Sequence, residues 1–250
     1  MKIEDVRLQI NTPLPNQAYP PVMARFTDRE YLNIVYRTDA DALRAVVPEP
    51  LQIDEREPLV RFEIMRMNEV TAYGPYTEGG LVVPVTFDAE PGEYLHSMYL
   101  DSFPATVAGR ELSAYPKVIG APKLYVDGPT LVGTIDFGTL RIATATMGYK
   151  HYELDKRDAE AQITVPTFML KTVPGYDGAP RVQELVRTQI SDVVVKEAYT
   201  GPARLQLFQH ALAPLADLPV LEVVSASHIN TDLTLAPVKL VFNYLTEEMR

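Results

Sequence analysis

The sequence predicts a mainly β protein of the α+β kind, an antiparallel barrel or sandwich with a few flanking helices. Segments of alternating apolar and polar residues recur along the chain, separated by turn signals about every 8–12 residues. The regular exchange of strands with long helical patterns that a parallel sheet requires is missing. Across 250 residues there is no internal repeat, no low-complexity tract and no interdomain linker, so a single domain over residues 1–250 is the simpler expectation. A chain of this length buries a sizeable core and has room to enclose a pocket.

Residues 1–22, which include NTPLPNQAYPPV, are rich in proline and polar residues and read as an extended N-terminal arm. EYLNIVYRT (30–38) alternates as a strand does. In TDADALRAVVPEP, Thr38 or Asp39 offers a helix N-cap and Pro48 a stop, so a short helix is expected there. PLVRFEIMRMNEV (58–70) alternates again, with Val60, Phe62 and Ile64 on one face and Leu59, Arg61, Glu63, Met65 and Met67 on the other. Further strands are expected at GLVVPVTFD, EYLHSMYLD, ATVAGREL and KLYVD. A hairpin follows in TLVGTIDFGTLRIATATMGY, with its turn at Asp136–Phe137–Gly138. LDKRDAEAQI and ARLQLFQHALAPL read as short helices, the second ended by Pro214. TFMLKTV, VQELVRTQISDVVVKEAYT, LEVVSASHINTDLTL and VKLVFNYL complete the strands.

The net charge of −10 argues against nucleic acid, because a phosphate binder needs a basic face, and disfavours an anionic membrane surface. An acidic protein with an acidic substrate must supply positive charge locally, which turns attention to buried arginine or lysine. With no cysteine, disulfides, thiolate catalysis, Cys-ligated zinc and iron–sulfur clusters are excluded. MKIEDVRLQINTPLP lacks the apolar region of a signal peptide, and no run reaches the roughly 18 apolar residues of a membrane span, so a cytoplasmic protein is expected. There is no glycine-rich phosphate loop, no GxSxG elbow and no HExxH. The four histidines are scattered without ligand spacing; His210 reads as a surface or packing residue of an amphipathic helix, and His96 as a strand residue with a satisfied ring.

Four residues carry the chemical interest. In GRELSAYPKVIGAPKLYVD (109–127), Lys117 sits among Tyr115, Pro116, Val118, Ile119 and Pro122, an apolar setting for a side chain that is seldom buried unless paired. Glu63 shares its strand face with Leu59, Met65 and Met67, so it is either partnered or at an edge. Glu78 stands in GPYTEGG, where glycines let the backbone approach closely. Arg29, in FTDREY, precedes a strand. On residue type alone, the structural reading is favoured for Glu63 and for Glu78, the latter as a solvated turn residue, and Arg29 reads as a surface charge.

VYRTDADALRAVVPEPL, PLVRFEIM, YTEGG, RELSAYPK, LVGTIDFGTLRIATATMGYKH and TGPARLQLFQHALAPLADLPV together resemble the acetoacetate decarboxylase family, in order and over essentially the whole chain. The resemblance implies a closed, cone-shaped antiparallel β-barrel with a lysine in its interior, and a large homo-oligomer, commonly a dodecamer. It also implies a reaction in which a small keto acid, acetoacetate, loses carbon dioxide to give acetone. The family lysine follows a Tyr–Pro pair, which makes it Lys117; the polar group around it matches Arg29, Glu63 and Glu78. Arg29 could receive the substrate carboxylate or pair with Glu78, and Glu63 could destabilise that carboxylate or pass protons. No metal or organic cofactor is implied, since a protonated lysine imine is itself the electron sink.

The nucleophile must be a neutral amine. A reference lysine has a pKa of about 10.4, so near pH 6 only about one molecule in 10⁴ is neutral. Burial alone can shift such a group by about 3–5 units. This family is itself the standard example of lysine activation by desolvation or by a neighbouring cation. A second lysine often follows the first in the family, whereas Val118 stands there in this sequence; desolvation is therefore the expected activation. Two other readings remain beside this one: a related imine-forming aldolase or dehydratase acting on another keto acid, and a non-catalytic barrel that carries a small apolar ligand.

Overall fold

The computed structural model describes residues 1–20, 22 and 24–249. Most of the chain is strand. The larger sheet contains β1 (Arg25–Arg37), β2 (Leu59–Val70), β3 (Tyr76–Phe87), β4 (Glu90–Leu100) and β5 (Lys117–Ile119). It also contains β9 (Tyr152–Glu153), β10 (Thr167–Pro174), β11 (Pro180–Thr188), β12 (Ile190–Thr200), β14 (Glu222–Leu235), β15 (Lys239–Asn243) and β16 (Glu248–Met249). Its strands run in the order β16-β15-β11-β10-β4-β3-β2-β1-β14-β12-β9, with β5 paired to β4. The smaller sheet is made of β6 (Ala121–Asp127), β7 (Thr130–Phe137), β8 (Leu140–Gly148) and β13 (Ala203–Leu207), in the order β13-β8-β7-β6. Pairing is antiparallel apart from β4 with β5 and β4 with β10, which are parallel, so the expected all-antiparallel arrangement is corrected to a mixed larger sheet.

Period-two alternation on β1 and β2 places apolar residues on both faces of the larger sheet. Leu32, Ile34, Phe62, Ile64, Leu81 and Val83 face the smaller sheet and close one core with its Leu124, Leu131, Ile135 and Ile142. On the opposite face Phe26, Tyr31, Met65, Met67, Tyr76, Met98 and Ile229 form a second cluster. That second face holds the candidate site.

The capped helices form as expected. Asp39 accepts from the backbone N–H of Ala42 at the start of α2 (Ala40–Val46), and Asp155 caps α4 (Lys156–Ile163). The β7–β8 hairpin turns at Gly138, whose φ of +61° suits glycine. Three segments differ from expectation. ATVAGREL is not a strand but the body of α3 (Phe103–Glu111), with Ser102 as N-cap and Pro104 in the first turn. That start signal outweighs the β propensity of Thr106 and Val107. ARLQLFQHALAPL is not a helix: Ala203–Leu207 pairs with β8, burying Ala203 and Leu205 in alternation, and only Leu215–Asp217 turns helically. Pairing to an open sheet edge overrides helix propensity there, and His210 sits in a loop with its ring edge-on to Phe137. The expected extended N-terminal arm is corrected as well: it begins with a short helix, α1 (Ile3–Arg7), and continues through turns and bends with no strand among its described residues, Pro21 lying outside them. His96 is also corrected: its Nδ1 is buried without a hydrogen-bond partner among the described residues.

Candidate active site

Five neighbouring strands each bring polar side chains to one region. β1 supplies Arg29, β2 supplies Arg61 and Glu63, β3 supplies Glu78, β4 supplies Glu93 and β5 supplies Lys117. The register makes this possible: Met65 pairs with Glu78, Arg29 with Met67 and Met98 with Lys117. Because side chains alternate along a strand, Arg61, Glu63 and Met65 reach the same face. Glu78 is followed by Gly79 and Gly80, and a Cβ on Gly80 would lie 1.9 Å from the Ser97 carbonyl oxygen. The missing side chain lets β3 and β4 close up beside the site.

Lys117 is 7% exposed while its neighbours Val118 and Ile119 are exposed. The lysine thus points inward and Val118 outward, as expected for an extended segment. Lys117 Nζ lies 3.2 Å from Glu78 Oε2 and faces the rings of Tyr115 and Tyr76, at 5.1 and 5.7 Å from their centroids. Arg110 on α3 donates from Nη1 to the Lys117 carbonyl oxygen at 3.1 Å.

Glu78 also meets Arg29, Nη2 to Oε1 at 3.5 Å. The guanidinium lies over the rings of Phe26 and Tyr31, 5.0 and 4.9 Å from their centroids, and rests against Met65 Sδ. Burial opposes its charge, but the groups around it, the Glu78 and Glu63 carboxylates among them, outweigh burial and hold it more firmly protonated than usual. Its Nε has no hydrogen-bond partner among the described residues. A second ionic group lies alongside: Arg61 Nη2 bridges Glu63 Oε2 at 3.2 Å and Glu93 Oε2 at 2.6 Å, and Thr167 Oγ1 donates to Glu93 at 3.2 Å. Burial lifts the Glu93 carboxyl above the usual carboxylate range, and Glu63 adds to that effect against the pull of Arg61. Burial likewise pushes the phenols of Tyr31, Tyr76 and Tyr115 up, so they remain neutral.

Two cavities meet at the lysine. An inner chamber of about 70 Å³ is lined by the charged groups Arg29, Arg61, Glu63, Glu78, Glu93 and Lys117. An outer, largely apolar cavity of about 500 Å³ lies between the N-terminal arm, α3 and the loop after β14. Phe26, Tyr76, Tyr115, Lys117 and Leu235 line both. Such an arrangement can hold a small anion beside a shielded amine, with carboxylates near enough to move protons. Among the described residues no group of three or more histidines or carboxylates is arranged to hold a metal ion.

Lys117, Glu63, Glu78 and Arg29, the four residues of chemical interest in the sequence, all line the inner chamber. Arg61 and Glu93 join them there without a comparable sequence signal. Arg61 is legible only as a face-mate of Glu63, whereas nothing local marks Glu93, which meets Arg61 from across the intervening β3. Lys123 is exposed on β6 and lies outside both cavities.

Comparison with known proteins agrees with this geometry. The family model described as acetoacetate decarboxylase (ADC) matches residues 10–245. The chain belongs to the acetoacetate decarboxylase family. An acetoacetate decarboxylase of Streptomyces nogalater is 61% identical over 245 residues, 98% of this chain and 100% of that protein. One from Clostridium acetobutylicum is 59% identical over 242 residues, covering 97% of this chain and 98% of the relative. A solved structure from structural studies of acetoacetate decarboxylase superposes with a TM-score of 0.96 at 58% identity, covering 98% of this chain and 100% of that one. The mixed larger sheet and the smaller sheet of this family member are therefore the architecture of a solved acetoacetate decarboxylase.

Proposed function

We propose that this protein decarboxylates acetoacetate to acetone and carbon dioxide through an imine on Lys117. The observation that carries the reading is a buried amine at the mouth of a small charged chamber, 3.2 Å from a carboxylate. Glu78 takes the ammonium proton, leaving the amine lone pair free to attack the ketone carbon. Water leaves as the protonated imine forms. The bond to the carboxylate carbon then breaks, carbon dioxide departs, and the electron pair moves into the iminium to give an enamine. A proton returns to carbon, and water hydrolyses the resulting imine to acetone and free lysine.

Arg29 receives the substrate carboxylate. Its buried guanidinium stays charged, and its unpartnered Nε is an available donor. Glu63, steadied by Arg61, passes protons during imine formation and hydrolysis. The apolar outer cavity and the rings of Tyr76 and Tyr115 limit water around the amine. The single domain over residues 1–250, the cone-shaped barrel, the homo-oligomer and the cytoplasmic location implied by the family belong to the same reading. Among the described residues no strand pair closes either sheet into a ring, and none of their helices is long and apolar enough to cross a membrane.

Borohydride reduction in the presence of acetoacetate tests the assignment. Inactivation with the label on the peptide carrying Lys117 is expected. A label on Lys123 or Lys150, or none with turnover intact, would overturn it.

A further inference from the structure

Gly109 lies inside α3 and its φ is not in the left-handed region, so no backbone conformation calls for glycine there. In a helix interior alanine is the more favourable residue. What the position lacks is a side chain, and the space where one would stand is filled by Lys117. A Cβ on Gly109 would lie 2.7 Å from Lys117 Cδ, 3.0 Å from Cε and 3.3 Å from Nζ. The adjacent Arg110 holds the lysine backbone by donating to the Lys117 carbonyl oxygen, and the Gly109 carbonyl accepts from the Tyr115 N–H at 3.1 Å. The last turn of α3 therefore fixes Lys117 at both ends, backbone and stem.

We infer that Gly109 is a positioning residue: its missing side chain sets where the Lys117 amine stands against Glu78 and the mouth of the inner chamber. The inference rests on Lys117 as the reacting amine. A methyl group at Gly109 is accommodated by displacing the tip of a flexible side chain rather than the helix. The fold is retained and the amine leaves its place beside Glu78. A displacement of about 1 Å in a reacting group can lower a rate about 10²-fold.

The experiment compares Gly109→Ala with the parent in three measurements: thermal midpoint, kcat/KM for acetoacetate, and the rate at which pentane-2,4-dione forms an adduct on Lys117, located by peptide mapping. That adduct needs amine attack and loss of water but no decarboxylation. A parent that forms it without turning over acetoacetate would refute the decarboxylase reading and leave the role of Gly109 still measurable. The expected result is a midpoint equal to or above the parent's, with adduct formation and kcat/KM both lowered about 10- to 100-fold. Parent-like rates would overturn the inference. So would a lowered midpoint or a chain that fails to fold, since the helix and not the lysine would then be what the glycine serves.

Discussion

β1 carries a buried charge in an ionic cluster on each of its faces, Arg29 on one and Glu30 on the other, and only one of them faces the lysine. On one face Arg29 joins Glu78 and Lys117, beside Arg61 with Glu63 and Glu93. On the other, the next residue, Glu30, lies 2.8 Å from His228 Nε2 and 2.6 Å from Arg66 Nη2, with Tyr199 stacked on the His228 ring. Both clusters join strands across the sheet, and Glu30 and His228 are buried, although the Arg66 side chain is 43% exposed. They differ in surroundings. The first lines two cavities, whereas none of Glu30, Arg66 and His228 lines either one. A buried charge is thus not by itself a sign of chemistry; a buried charge at an accessible chamber, beside a nucleophile, is the informative combination.

The comparison breaks first at Lys117. Lys117→Arg keeps a cation beside Glu78 but replaces a primary amine with a group that stays protonated. Turnover should fall by more than about 10⁴-fold, as on removal of a nucleophile, with an unchanged circular dichroism spectrum. Residual activity near the parent level would remove the imine from the mechanism.

On the other face the expected effect is on stability alone. Burial works against the charge of Glu30, but the hydrogen bond with His228 and the charge of Arg66 outweigh it and hold the carboxyl below its ordinary range. A depressed carboxylate stabilises the fold above its unfolded pKa, and this contribution is lost as pH falls through the folded value. Glu30→Gln should therefore lower stability at neutral pH by about 1.5–3 kcal/mol, the range for hydrogen bonds to charged groups. The gap to the parent should narrow below the reference glutamate pKa of about 4.3. Denaturant unfolding at several pH values measures this, and kcat/KM at neutral pH should match the parent's. A large loss of activity without loss of stability would mean that both clusters serve the reaction.

The smallest effect is expected at Val118. Its side chain is 41% exposed, and among the described residues no lysine other than Lys117 lines either cavity. Val118→Lys restores the second lysine of the family pattern on the outward side of β5, where water screens its charge. The pH dependence of kcat/KM should be nearly unchanged. A displacement of that profile by a full unit would show that a neighbouring cation tunes the site.

Short-range interactions account for the legible parts of the chain. Helices α2 and α4 announce themselves through Asp39 and Asp155, which bond to backbone N–H groups only two or three residues away. The two faces of 58–70 follow from alternation alone, and the family motifs single out Lys117 within its own segment. Two local signals compete in α3, the Ser102–Pro104 start and the β-branched residues that follow it, and alternation favours the strand that does not form. At Ala203–Leu207 the deciding partner is β8, distant in the chain.

A strand-rich chain, its cleanest caps and turns, and a lysine in an apolar segment are legible along the chain, because each depends on neighbours within a few residues. Which charges meet depends on contacts between distant elements. Glu78 reaches Lys117, Arg61 reaches Glu93, and Gly109 clears the space for the lysine stem because sheet register and the docking of α3 bring together residues from separate elements. The same register sends Glu30 to the opposite face from Arg29, since consecutive side chains on an extended strand point apart.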